Sequence, residues 1–196
     1  MEARRLEVKV FLERPTTVDL ESLVPVFHDW IREGRLDEPM IDVADYRHVP
    51  NGPGVVLIGH RSNYYLDQAE GRPGLLYSRK RQAPGDPDER LLDVFRRALF
   101  ACRLLEAEPA LGGRLRFRTN ELLFQIPDRL GYPNSPAVFD SIRPELEAFV
   151  SRLYAGSVSL TRRGSAREKL GVAIRAGRAP SLDVLLGRLG ASPLAA

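Results

Sequence analysis

Between Met40 and Lys80 the chain packs four short apolar or alternating runs into about forty residues, with almost nothing but turn signals between them. Met40 to Val49 reads as a strand, and Pro50-Asn51-Gly52-Pro53-Gly54 as a dense turn. Val55 to His60 reads as the next strand, followed by Asn63 to Asp67 and Gly74 to Lys80 across a turn near Glu70-Gly71-Arg72-Pro73. A parallel crossover needs a dozen or more residues, so connections this short force consecutive strands to run antiparallel. The segment is predicted to be a β-meander.

The flanking sequence supplies helices. Leu6 to Leu12 alternates, with Leu6, Val8, Val10 and Leu12 set against Glu7, Lys9 and Phe11, as a half-buried strand does. After Thr16-Thr17 and Asp19, Leu20, Leu23, Phe27, Trp30 and Ile31 recur at helical spacing to Gly34, and Pro25 is expected to kink or restart that helix. Asp86-Pro87-Asp88-Glu89 is a helix start, with Leu91, Phe95, Leu99 and Cys102 on one face. Two strands are expected at 114–118 and 122–126 around a turn at Thr119-Asn120. A helix over Phe139–Leu153, broken near Pro144, should follow, then strands at 157–161 and 170–174. The order lacks regular strand–helix alternation. It predicts an α+β fold: a mostly antiparallel sheet packed against two to four helices, in one domain over 1–178. Residues 179–196 form a connector and a short amphipathic helix. Its stripe of Leu182, Leu185, Leu186 and Leu189 suits either the chain's own core or a partner's groove.

Composition excludes several function classes. Cys102 is the only cysteine, so an internal disulfide and a Cys-pair redox centre are ruled out. No apolar run nears the roughly 20 residues of a membrane span, and residues 1–5 lead into a strand rather than an apolar signal core, so a cytoplasmic location is expected. The histidines show no short-range metal-ligand spacing, so no metal site is expected, and the cofactor is left open. The chain is arginine-rich, with twenty-six arginines against three lysines. Its first seventy residues are acidic on balance, whereas 71–82 carry Arg72, Arg79, Lys80 and Arg81 without an acid.

That charge pattern leads to the principal functional expectation: a nonenzymatic binding or assembly protein. It would contact a small anionic ligand or an acidic protein partner through the 42–81 meander, using Arg72, Arg79, Lys80 and Arg81 with Tyr64, Tyr77 and His48. Nucleic acid is disfavoured because Asp42, Asp45, Asp67 and Glu70 weaken the local field. Strand edges could also pair two copies into a homodimer. The alternative is a small enzyme. With a turn centred on Gly52, Ala44 would oppose His60 and Tyr46 would oppose Ile58. Asp42, Tyr46, His48 and His60 would then share a face, with His60 as general base, Asp42 orienting it and Tyr46 assisting.

Overall fold

A computed structural model describes residues 3–14, 19–49 and 52–190. Thr16, Thr17, Pro50, Asn51 and the last six residues, on which parts of the helix-start, turn and C-terminal expectations fell, lie outside the described residues. The architecture is the expected α+β one. Strands β1 (Glu7–Leu12), β2 (Met40–Tyr46), β3 (Gly54–Gly59), β4 (Ser62–Asp67), β5 (Gly74–Arg79), β6 (Phe117–Ile126), β7 (Val158–Arg163) and β8 (Leu170–Ala176) form one sheet. Their order is β2-β3-β4-β5-β1-β6-β8-β7, and every pair is antiparallel. The amino-terminal strand therefore lies in the middle, joining the β2–β5 meander to the carboxy-terminal strands.

Helices α1 (Leu23–Glu33), α2 (Pro87–Ala107), α3 (Pro136–Tyr154) and α4 (Leu182–Arg188) build a single core with one face of this sheet. Alternation decides which strand residues join it: Val8, Val10, Leu57, Tyr64, Leu66, Leu75, Tyr77, Leu122 and Phe124 are buried against Phe27, Trp30, Phe95, Leu99 and Phe149. The capping box opens α2 as read: Asp86 Oδ1 accepts from Glu89 N at 2.9 Å, and Asp86 N donates to Glu89 Oε2 at 2.9 Å. Among the described residues, no helix is long and apolar enough to cross a membrane.

Four local expectations change. Pro25 occupies the first turn of α1, where its missing N–H leaves no helical bond unmade; a 3-10 turn over Leu20–Ser22 precedes the helix, so the expected restart is present and the kink is not. Pro144 is carried within α3, which is continuous rather than in two pieces. Thr119 and Asn120 do not turn the chain: β6 runs through them as one strand. Its register against β1 slips between Val10, which pairs with Leu122, and Leu12, which pairs with Phe117. This irregularity lets odd-numbered Phe117 and even-numbered Leu122 both enter the core, and Tyr154 Oη donates to Thr119 O at 2.5 Å there. Finally, Leu182, Leu185, Leu186 and Leu189 are buried in the chain's own core, so their stripe is not a free docking surface.

Candidate functional site

Because the helices lie on one side, the side chains of the opposite parity line a face that no helix covers. One row of neighbours crosses all eight strands there: Ala44, Val56, Tyr65, Leu76, Lys9, Leu123, Ala173 and Thr161. Lys9 is the one charged member, and it lies on the central strand. It is only 3% exposed. The next row places Ser78, Glu7, Gln125, Gly171 and Arg163 side by side. Gly74 stands between Asp67 and Phe11. A Cβ on Gly74 would lie 2.4 Å from Val10 O, so the close approach of β5 to β1 demands glycine.

A cleft of about 440 Å³ opens over the middle of this face. Its floor is apolar where Phe11, Leu76, Leu123 and Ala173 meet. Around the floor, cations outnumber carboxylates two to one: Lys9, Arg72, Arg129, Arg163, Arg167 and Lys169 against Asp67, Glu70 and Glu168. Three of the cations are tied down. Lys9 Nζ meets Asp67 Oδ2 at 2.5 Å. Lys169 Nζ meets Glu7 Oε2 at 2.6 Å, with Ser78 Oγ donating to the other oxygen of Glu7. The Arg72 guanidinium lies 3.9 Å from the centroid of the Phe11 ring and 3.0 Å from Glu121 Oε2. Arg129, Arg163 and Arg167 are exposed at the rim, and no ion pair holds them among the described residues.

Lys9 and Glu121 are among the groups on this face whose ionisation is displaced. Burial weakens the Lys9 ammonium, and the attraction and hydrogen bond of Asp67 only partly offset it. Burial also pushes the Glu121 carboxyl upward, but hydrogen bonds and charge from Arg72 and Arg175 overcome it and hold the group below its ordinary range.

The residues singled out in the meander are dispersed. Ala44 pairs with Val56 and Tyr46 with Gly54, so the β2–β3 register differs from that of a turn centred on Gly52. The reason is a longer connection, in which Val49 N donates to Tyr46 O and Gly52 N to Val49 O. The difference is an even number of residues, so Asp42, Tyr46 and Ile58 keep their common face. His60 and His48 lie beyond the strands. His60 is exposed in the β3–β4 turn, its backbone N–H held by Pro39 O, and His48 is exposed after β2. Neither histidine, nor Asp42 or Tyr46, lines the cleft.

Tyr64, Tyr77 and Arg79 have the opposite parity and point into the helix-covered core. The two tyrosine rings meet edge-on at 5.0 Å, and Arg79 pairs with Asp93 at 2.8 Å. These three are therefore a correction to the expected ligand surface. Lys80 donates to Gly59 O at 2.6 Å, and Arg81 is exposed beyond the end of β5. Of the seven ligand-binding candidates, Arg72 alone lines the cleft. Lys9 was overlooked because a charged residue opposite a core face reads as solvated. Phe11 on the same face was the available signal that this side is also half-buried. No known protein family, curated protein or solved structure matches this chain.

Proposed function

We propose that this chain is a binding protein that takes a small anionic ligand onto the helix-free face of its sheet. The observation that carries this reading is the surplus of cations around an apolar floor in one cleft. Rim arginines without carboxylate partners among the described residues supply planar, bidentate donors for a carboxylate or phosphate. The floor of Phe11, Leu76, Leu123 and Ala173 rewards an apolar body behind that group. The cleft's volume suits a small molecule rather than an acidic protein surface. This keeps the anionic ligand expected from the charge pattern but moves its contact surface toward β1, β6 and β8, with Arg72 as the meander's contribution.

Titration calorimetry with 4-(hydroxymethyl)benzoate and with neutral benzyl alcohol tests the reading. The carboxylate is expected to bind at least about tenfold more tightly, as charge-assisted hydrogen bonds allow. The joint substitution Arg163→Glu and Arg167→Glu should erase that preference. Equal affinity for the two probes, or a preference untouched by the substitutions, would overturn the proposal.

A further inference from the structure

Lysine is scarce in this protein, yet two of its three lysines, Lys9 and Lys169, line the same cleft, in a chain that elsewhere uses arginine for positive charge. If only charge were required at the centre of the floor, arginine would serve. What lysine offers and arginine does not is a primary amine that can lose a proton and attack an electrophile. Lys9 has the surroundings such an amine needs. Lys9 stands between Leu76 and Leu123 on neighbouring strands, and its Nζ lies 5.4 Å from the Phe11 ring centroid, with Asp67 the one carboxylate in contact among the described residues. It opens on a cavity large enough for a ligand.

We infer that Lys9 is a covalent capture residue that forms an imine with an aldehyde or ketone seated in the cleft; that this carbonyl compound also carries an anionic group rests on the binding role proposed above. The Lys9 ammonium first gives a proton to Asp67. The freed nitrogen lone pair forms a bond to the carbonyl carbon while the C=O π electrons move to oxygen. A second proton leaves nitrogen, and with the one returned from Asp67 it converts that oxygen to water. The C–O bond breaks as the C=N bond forms. The product is a protonated imine, so the charge facing Asp67 is the same before and after, and one water is released per imine. Water reverses the sequence, and no oxidant or reductant takes part. The weakened Lys9 ammonium supports this role, since easier loss of its proton enlarges the fraction of free amine.

The experiment is reductive trapping on the full chain. Protein is incubated with limiting 4-carboxybenzaldehyde and sodium cyanoborohydride, digested, and the adducts located by peptide mass mapping. Lys9 should be labelled on the order of tenfold faster than Lys80 or Lys169. That preference should vanish when the chain is unfolded in urea. Lys9→Arg, which retains a cation beside Asp67, should lose the preferred adduct. Should that variant fail to fold, the map of the unaltered chain decides alone. Labelling spread as evenly as in urea, or absent from Lys9, overturns the inference. If 4-(hydroxymethyl)benzoate binds while Lys9 stays unlabelled, imine formation fails and the anion-binding reading stands. If benzaldehyde labels Lys9 as fast as 4-carboxybenzaldehyde does, imine formation stands and the anionic requirement falls.

Discussion

The sheet carries a buried cation–carboxylate cluster on each face, and the two are built differently. On the covered face, Asp93 is shared by Arg79 at 2.8 Å and Arg97 at 2.7 Å, and Arg97 also reaches Asp37. Arg79 in addition donates to Arg81 O at 3.0 Å. These are planar, multiply bonded guanidiniums locked between β5 and α2. On the open face, Lys9 has one carboxylate partner and a cleft beside it. The first arrangement satisfies its donors within the fold, as a structural cluster must. The second buries a charge with few partners beside a cleft that a ligand can enter. Perturbed groups gathered in a cleft are the usual mark of chemistry, whereas a saturated network is the mark of architecture.

That contrast can be broken most directly at Asp93. Asp93→Ala leaves two largely buried guanidiniums short of their shared partner, and a loss of about 3–5 kcal/mol is expected in urea unfolding. A loss below about 1 kcal/mol would mean the covered cluster is not the structural one. Lys9→Met should cost much less, about 1 kcal/mol or even a net gain, because it removes a desolvated ammonium and leaves Asp67 beside the cleft, within reach of water.

The pH dependence carries the sign. The folded chain holds the Lys9 proton less tightly than the ordinary 10.5 of the unfolded chain. At pH values between the lowered folded value and 10.5, the unfolded state binds more protons, so stability rises with pH. The stability of the parent relative to Lys9→Met should therefore improve as pH climbs through the alkaline range toward 10.5. A flat difference would show that Lys9 is not desolvated. The smallest stability effect belongs to the rim: Arg167→Glu should stay within about 0.5 kcal/mol of the parent, because an exposed arginine with no ion pair among the described residues has nothing structural to lose. Anion binding, not stability, should report that change.

Reading along the chain was most reliable where the information is local. The α2 capping box and the leucine spacing of α4 each depend on residues a few positions apart, and each appears in the structure, whereas β1, expected to be half-buried, is buried on both faces. Thr119-Asn120 failed as a turn because a β-irregularity absorbed the change of parity that a hairpin would otherwise have explained. The β2–β3 pairing was legible in parity but not in position. Which residues share a face depends on odd or even numbering, whereas which residues are neighbours depends on the length of the intervening connection. Tyr64, Tyr77 and Arg79 were misassigned for a related reason. Alternation separates two faces but does not say which one the helices will cover.

The sequence alone therefore determined most of the elements, their antiparallel sense within the meander and the inward stripe of most helices, since short-range periodicity and turn chemistry act before any distant contact forms. Only the tertiary structure decided where Lys9 would lie. Threading the first strand between β5 and β6 brings Glu7 against Lys169, 162 positions away, and Lys9 against Asp67, 58 positions away. Contacts of that range arise from the packing of whole layers, in which burying one sheet face under four helices leaves the other face, with its lysine, to meet solvent and ligand.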